Sequence, residues 1–475
     1  MRAGPCRAMD RRVVLCIVVA VVILAVALAA LALQASEDSP GDSSDSQLAE
    51  EVLNGGRVSE DTTITVDSEV RVGSDLVVAE GATLTIELSG TIYMDSGSRI
   101  LVQGSLVVSG SSGASFESGD GSGEEGAFGG AIYVSPGGSA SVSICKFARF
   151  SSDLYGGAVA SEGELTLTNC SFVSCEGPSG GAVYTSGIAA VDSCVFSRCS
   201  AGEGGAVSVQ GDGCATIVSC TFLACTSEGD GGAVISASGE ELTVASSVFS
   251  SITSAGSGAV MAEGDLTMTS CSFGHCEAEA SAVAECHGDA YFESCHVYET
   301  IASGCSGYGG AISVIGGSAT FVGCEFDGQD STYDGSAVVV TGESAAFDSC
   351  TFSDITSPAD GAAVNCAVDA LSMTACEFAS CTSDGDGGAV YAEAGDATIE
   401  GCSFSGCAAG GNGGAVCIEC SGEAAFTGCA FEQCSAENGG GIYALAETTV
   451  EGCEFTECSA TVSGSDYEIT APESS

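Results

Sequence analysis

From residue 129 to the end, the chain repeats one pattern thirteen times: Gly-Gly-Ala and a Val or Ile, an alternating apolar stretch, then Cys-x-Phe-x-x-Cys or a close variant. Successive repeats are 23 to 29 residues apart, most often 26. A fixed period of this length is typical of solenoids, in which each unit buries its apolar face only against its neighbours. The position of the Ala in each repeat, occupied by Gly in the last, is Ala131, Ala158, Ala182, Ala206, Ala233, Ala259, Ala282, Ala311, Ala337, Ala363, Ala389, Ala415 and Gly441.

Within each repeat the apolar residues alternate with a period of two, which indicates strands rather than helices. Leu165 and Leu167 are one example. After Gly-Gly-Ala the next residue is nearly always branched, as at Val183, whereas the one after it varies, as at Tyr184. We expect the branched column to face inward and the variable column to face water. Each repeat then holds three short strands joined by Gly-, Ser- and Asp-rich bends.

Identical three-strand units stack most simply as a parallel β-helix, with coils about 4.8 Å apart. The predicted fold class is therefore all-β, a right-handed parallel β-helix preceded by an amino-terminal hydrophobic helix. The predicted domains are a signal peptide or anchor at 1–35, an acidic Ser-rich linker at 36–53, capping coils at 54–128, thirteen coils at 129–458, and a cap and tail at 459–475.

The amino terminus predicts export. Four Arg residues precede Val13 to Leu33, which is 21 residues without a charge. That length favours a membrane anchor, whereas Ala30-Leu-Ala32 resembles a signal cleavage site. Both alternatives stay open, and both place the rest of the chain outside the cytosol or in a lumen, membrane-anchored or secreted. The membrane is then one expected partner, through this helix.

Twelve cysteines form one column two residues before the Phe position of a repeat, and eight form a second column three residues after it. Equivalent residues of adjacent coils fall within the Cα separation that a disulfide tolerates, so we expect either disulfide staples or a buried ladder of thiols. Zinc is disfavoured because His275, His287 and His296 are the only histidines. The predicted structural cysteines are Cys145, Cys170, Cys175, Cys194, Cys199, Cys220, Cys225, Cys271, Cys276, Cys295, Cys324, Cys350, Cys376, Cys381, Cys402, Cys407, Cys429, Cys434, Cys453 and Cys458.

Charge narrows the choice of partners. Beyond Ala35 there are six basic and 63 acidic residues, a formal charge of −57. Nucleic acid, anionic lipid surfaces and acidic polymers are poor partners for such a field, whereas cations are good ones. The loops Glu228-Gly-Asp230 and Asp384-Gly-Asp386 could hold Ca²⁺, but they lack the spacing of known Ca²⁺ motifs. No cofactor and no catalytic residue is therefore predicted, and the extracellular protein or glycan ligand is left open.

At this point the repeats resemble a known family. Gly-Gly-Ala-Ile or Gly-Gly-Ala-Val, paired with a Phe-x-x-Asn phrase, is similar to the repeats of chlamydial polymorphic membrane proteins within the pectin-lyase-like group. The resemblance covers residues 129 to 458, with Cys in place of the Asn at positions such as Cys175 and Cys199. It implies a right-handed β-helix exposed at a cell surface as an adhesin-like module.

Three functions follow as alternatives. The main prediction is a non-catalytic structural, adhesive or recognition rod, because the coils are even and residues 199–475 contain no Lys or Arg. The first alternative is a polysaccharide hydrolase, which needs only two carboxylates at a suitable separation. The second is ice or mineral binding by an outward column interrupted by Ala190, Tyr291, Ala346 and Ala425. That column is Thr166, Thr216, Thr243, Thr267, Thr320, Ser372, Thr398 and Thr449.

Overall fold

The computed structural model describes residues 49–54, 56–118, 130–237, 239–303, 310–328 and 337–470, which belong to one compact unit. The predicted hydrophobic helix within 1–35 lies outside these residues, as do 36–48 of the predicted linker. The helical residues 49–53 precede the first strand. No helix among the described residues is long and apolar enough to span a bilayer.

Like residues of successive repeats lie directly on one another. Phe147 pairs with Phe172, and Phe172 pairs with Phe196, in parallel strands that are in register. The sheet made by these phenylalanine strands has sixteen strands, one for each coil of a continuous solenoid. The predicted parallel β-helix is confirmed, and we number its coils 1 to 16 in chain order.

The strands form four sheets, which we call the long sheet, the Phe sheet and two short sheets. The long sheet consists of Arg57–Val58, Thr62–Val66, Leu76–Val78, Thr83–Leu88, Ile100–Val102, Ser105–Gly110, Ile132–Val134, Ser139–Ser143, Val159–Ser161, Glu164–Thr168, Val183–Thr185, Ile188–Asp192, Val207–Val209, Cys214–Val218, Val234–Ser236, Leu242–Ala245, Val260–Ala262, Leu266–Thr269, Ala284–Cys286, Ala290–Glu293, Ile312–Ile315, Ser318–Val322, Val338–Asp348, Val364–Thr374, Val390–Glu400, Val416–Thr427, Ile442–Glu451 and Tyr467–Thr470.

The Phe sheet consists of Glu69–Val72, Thr91–Met94, Ser115–Ser118, Lys146–Ala148, Ser171–Val173, Val195–Ser197, Thr221–Leu223, Val248–Ser250, Ser272–Gly274, His296–Tyr298, Glu325–Asp327, Thr351–Ser353, Glu377–Ala379, Ser403–Ser405, Ala430–Glu432 and Glu454–Thr456. The first short sheet consists of Glu176–Ser179, Ser200–Glu203, Thr226–Ser227, Thr253–Ser254, Glu277–Ala278 and Ile301–Ala302. The second consists of Thr356–Ser357, Thr382–Ser383, Ala408–Ala409, Ser435–Asn438 and Ser459–Ser463.

Two features of the strands differ from the sequence prediction. From coil 12 onward, the first two strands of each coil run together as one, beginning with Val338–Asp348. A fourth short strand follows the second cysteine column, as in Ser200–Glu203. These segments are too short and polar to show a period of two, so they read as bends in the sequence.

The core is built around a ladder of phenylalanine rings. Rings from Phe116 to Phe273 stack with centroids 4.6 to 5.0 Å apart, and a second run extends from Phe326 to Phe455. Val297 separates the two runs. In that coil Phe292 supplies the aromatic bulk instead, stacking on Phe321 at 4.8 Å.

The variable column after each Gly-Gly-Ala is more buried than we expected. Ser208, Ile235 and Met261 are at most 4% exposed, although their side chains point away from the core. The turn before each first strand crosses this outward face. At Gly204, φ is +59° and an added Cβ would lie 2.7 Å from Cγ2 of Ile235. A glycine here therefore allows the turn to cover the outward column.

Candidate active site

One cluster of acidic and aromatic side chains on the outward face lies in coils 14 and 15. Strand alternation buries Val390 and Ala392 in the core and turns Tyr391 and Glu393 outward. In the next coil Glu419 occupies the same outward position and pairs in register with Glu393. Residues in register on adjacent strands are about 4.8 Å apart at Cα. The two carboxylates therefore project side by side from neighbouring coils.

Tyr391 orders one of these carboxylates. Its hydroxyl donates a hydrogen bond to Oε1 of Glu393 at 3.2 Å. Tyr391 is half-buried, whereas Glu393 and Glu419 are exposed. Burial, with the nearby charges of Glu419 and Glu393, raises the pKa of Tyr391, so its hydroxyl stays a donor.

Two aspartates line the turn beside these residues. Asp360 accepts a hydrogen bond from the backbone N–H of Asp386 at 2.7 Å, and Asp386 accepts one from that of Asn412 at 2.6 Å. These bonds tie each turn to the next coil. They also fix two negative charges beside the glutamates on the sheet.

The crowding of negative charge changes the acidity of Glu419. Partial burial and the charges of Glu393, Asp386 and Asp360 raise the pKa of Glu419. A raised pKa favours the protonated form of Glu419 more than in a glutamate that water surrounds. A carboxyl group whose pKa is raised, placed beside a second carboxyl group, is an arrangement suited to general acid catalysis.

A second cluster surrounds His287 in coil 10. Its Nδ1 lies 3.3 Å from Oε2 of Glu263, and its Nε2 lies 3.0 Å from Oε1 of Glu285. Burial lowers the pKa of His287, but the hydrogen bonds to Glu285 and Glu263 outweigh it and raise that pKa overall. Both carboxylates belong to the outward face, so the histidine links coil 9 to coil 10.

A third cluster lies near the other end of the same face. The hydroxyl of Tyr133 donates to Oε1 of Glu162 at 2.8 Å, and the ring of Tyr155 stacks on Tyr184 with centroids 4.3 Å apart. The guanidinium carbon of Arg99 lies 5.8 Å from the centroid of Tyr133. Aromatic, acidic and basic side chains thus meet on coils 3 to 6.

The predicted cysteine columns line the two corners of each coil. Most of their thiols are buried, with Cys453 and Cys458 of the last coil partly exposed. All 25 cysteines in the described part of the chain are free thiols. In this structure the columns thus form a ladder of buried thiols, and disulfide staples formed in an oxidising compartment stay a prediction. Cys194 shows the local role of the ladder, because its Sγ accepts the backbone N–H of Cys170 at 3.3 Å.

The predicted Ca²⁺ loops use their aspartates differently. Asp230 accepts the backbone N–H of Ser257 at 2.8 Å, and Asp386 accepts that of Asn412. Their oxygens are thus committed to coil stacking. Within the described ranges no three His, Cys, Asp or Glu side chains are grouped so that they could hold a metal ion.

The predicted threonine column does lie on one outward face. Thr216, Thr243 and Thr267 pair in register on successive strands. Tyr291 then interrupts the column, as expected from the sequence.

Glu393 and Glu419 do not stand out in the sequence. Each stands three residues after the branched residue of its repeat, and they are 26 residues apart, one repeat period. In a chain with 64 acidic residues that spacing is not distinctive. Register alone does not separate this pair from other surface carboxylates, since Glu423 and Glu447 also pair in register; the nearby Tyr391, Asp360 and Asp386 do.

Comparison with known proteins gives three results. One solved structure, a PL6 family alginate lyase named AlyGC, is similar with a TM-score of 0.38 and 8% identity, covering 90% of this chain and 98% of that one. Our expectation of a non-enzymatic protein does not agree with this comparison, but at this TM-score the likeness carries no argument about the activity of this chain. No curated protein matches. The family described as right-handed β-helix region matches residues 156–326 and 310–471, and the chain belongs to this family.

Proposed function

We propose that the protein is a carbohydrate-active enzyme, a glycoside hydrolase whose acid is Glu419 and whose nucleophile is Glu393. The observation that carries the proposal is the register pairing of two outward glutamates, of which Glu419 has a raised pKa and Glu393 accepts a hydrogen bond from Tyr391. A pair of carboxyl groups, one acting as the acid and the other as the nucleophile or base, is the working unit of most glycosidases.

The separation of the pair indicates the stereochemical course. Retaining glycosidases hold their carboxyl groups about 5 to 5.5 Å apart, and inverting ones about 6.5 to 9.5 Å apart. Adjacent strands are about 4.8 Å apart, so side chains projecting in parallel fit the retaining arrangement. We therefore propose hydrolysis with retention of the anomeric configuration.

In this mechanism Glu393 attacks the anomeric carbon while Glu419 donates its proton to the departing glycosidic oxygen. The glycosidic bond breaks, and a covalent bond forms between the sugar and Glu393. Glu419, now ionised, takes a proton from a water molecule, whose oxygen displaces Glu393 and releases the sugar. The hydrogen bond from Tyr391 orients Glu393 before the attack.

The charge of the chain favours a neutral polysaccharide as substrate. The formal charge of −57 beyond Ala35 repels anionic chains. Two half-buried rings, Tyr391 and Tyr443, occupy the outward column on either side of Cys417 and offer apolar faces to a sugar. We further propose that the enzyme acts outside the cytosol, since the uncharged segment Val13 to Leu33 supports export.

The test is hydrolysis of neutral glucans, mannans, xylans and galactans by the full chain, with reducing ends measured across pH. Glu419→Gln and Glu393→Gln should each lower kcat by roughly 10²- to 10⁴-fold, with folding checked by circular dichroism. Glu377→Gln, an exposed change on the Phe sheet, is the matched control and should leave kcat unchanged.

The pH profile and the product add independent readouts. Because Glu419 must be protonated, activity should fall as pH rises through its raised pKa, and Glu419→Gln should abolish that alkaline limb. NMR of the first-formed product should show retention. Hydrolysis that is equal in the wild type and both Gln variants would overturn the assignment of this pair, and absence of hydrolysis across the panel would overturn the proposed function.

A further inference from the structure

One column on the outward face carries aromatic rings at two separate places. This column is the position after the branched residue of each repeat. It holds Tyr391 and Tyr443 near Glu419, and Tyr133 and Tyr184 near the amino-terminal end. Between the two places no member of the column is aromatic; the residues there are Ser208, Ile235, Met261, Glu285, Ser313, Val339 and Asn365. The amino-terminal rings, Tyr133 and Tyr184, therefore lie on the same face as Glu393 and Glu419 but far from that pair.

The amino-terminal rings are held in fixed positions. Tyr155 stacks on Tyr184 with centroids 4.3 Å apart and ring planes inclined by 30°. An added Cβ at Gly156 would lie 2.5 Å from the backbone nitrogen of Tyr184, so the turn that carries Tyr155 approaches that strand closely. Both rings are half-buried, which leaves part of each ring at the surface.

Polar groups are ordered next to the rings. Tyr133 donates to Glu162 at 2.8 Å, and burial together with this bond raises the pKa of Tyr133 to about 12. Arg99 lies beside the Tyr133 ring and within 3.6 Å of Asp75, so its charge is balanced. Glu162 is only half-buried, so it adds acceptor oxygens near the rings.

Fixed rings beside ordered acceptors match the chemistry of a neutral sugar. A pyranose has an apolar face of C–H groups and a rim of hydroxyls, which need an aromatic surface and hydrogen-bonding partners respectively. A flat apolar ligand would offer no hydrogen-bond donor to the carboxylate of Glu162. A strongly cationic one would be attracted equally by acidic residues all along the rod.

We propose that Tyr133, Tyr155, Tyr184 and Glu162 form a tyrosine platform, a polysaccharide-binding surface separate from Glu393 and Glu419. Tyr184 lies in coil 6 and Tyr391 in coil 14, so eight coil spacings of about 4.8 Å place the two some 40 Å apart along the rod. The ligand is a neutral polysaccharide. The idea that one polysaccharide molecule reaches from the platform to the glutamate pair rests on the proposed function. Binding of a polysaccharide at the platform does not depend on it.

The test uses the full chain carrying Glu419→Gln, so that binding is measured without turnover. Affinity electrophoresis in gels containing glucan, mannan, xylan or galactan should show retardation by at least one polymer. Tyr184→Leu, which keeps apolar bulk but removes the ring, should weaken that binding about tenfold, and Tyr184→Phe should restore it. Tyr298→Leu changes a half-buried tyrosine on the Phe sheet and should have no effect.

Glu162→Gln gives a second readout that does not depend on ring packing, and it should also weaken binding. Thermal melting of each variant verifies that it is folded. Equal binding by the parent, Tyr184→Leu and Glu162→Gln would overturn the platform, as would absence of retardation by all four polymers. If Tyr184→Leu weakens binding while no polymer is hydrolysed by the wild type, the platform stands and the proposed hydrolase fails.

Discussion

The backbone N–H of Cys220 donates a hydrogen bond to Oγ of Ser247 at 3.0 Å. Ser247 stands where the other twelve repeats have the first cysteine of the repeat. In neighbouring coils the same N–H meets sulfur, as from Cys194 to Sγ of Cys220 at 3.4 Å. The residue before each such cysteine has a positive φ, for example 55° at Ser193, so the chain turns sharply there. The column therefore supplies an acceptor for a corner N–H.

Cys194→Ala should destabilise the rod, because it removes the acceptor for the buried N–H of Cys170. An unsatisfied buried donor costs about 1 to 3 kcal/mol. Cys194→Ser should cost less, since Ser247 already fills this role. The free energy of unfolding from urea titration measures both, and equal losses for Ala and Ser would show that only volume matters at this position.

Gly205→Ala should disrupt stacking between coils 6 and 7. The new Cβ would lie 2.2 Å from the carbonyl oxygen of Gly232 and 2.5 Å from that of Thr226, and backbone cannot yield without separating the strands. Gly73→Ala is the control, because Gly73 lies outside the left-handed region and an added Cβ would lie no closer than 3.5 Å to its nearest neighbour, Oδ2 of Asp95. Circular dichroism and thermal melting should show strong loss for the first variant and little for the second. Similar melting of both would contradict the close approach.

Phe222→Ala should cost about 3 to 5 kcal/mol, the usual range for a buried phenylalanine. Its ring is stacked between Phe196 at 4.9 Å and Phe249 at 4.7 Å. Phe455→Ala should cost less, because Phe455 lies in the last coil of the ladder and is only partly buried. Urea unfolding compares the two, and a larger loss at Phe455 would argue against a ladder stabilised by stacking on both faces.

His287 should make the stability of coils 9 and 10 depend on pH. Its folded pKa is raised above the usual value of 6.5, so the contribution is fully present below about pH 6.5 and is lost as pH rises through the folded pKa. The groups facing it, Glu263 and Glu285, are acidic. The melting temperature of the wild type should exceed that of His287→Gln at low pH, with the difference shrinking at alkaline pH.

His275→Gln is the matched control for this pH dependence. His275 also pairs with a carboxylate, Glu299 at 3.2 Å, but both side chains are more than half exposed. Exposed pairs contribute little. A pH-independent difference between the wild type and His287→Gln would refute the link between the coils.

The sequence by itself determined the solenoid. Its period of about 26 residues, the two-residue alternation and the aligned Phe and Cys positions admit one stacking, in which Phe147 lies on Phe172 and Phe196. These signals are visible because every repeat buries the same positions against its neighbours, so the same residue types recur there. The covered outward column, the thiol-to-amide bonds and the pairing of Glu393 with Glu419 were decided only by the tertiary structure. These features depend on contacts between residues one whole coil apart and on turns that fold back over strands. Because acidic residues occur throughout the sequence, the sequence does not distinguish a carboxylate beside such a turn from one that is surrounded by water.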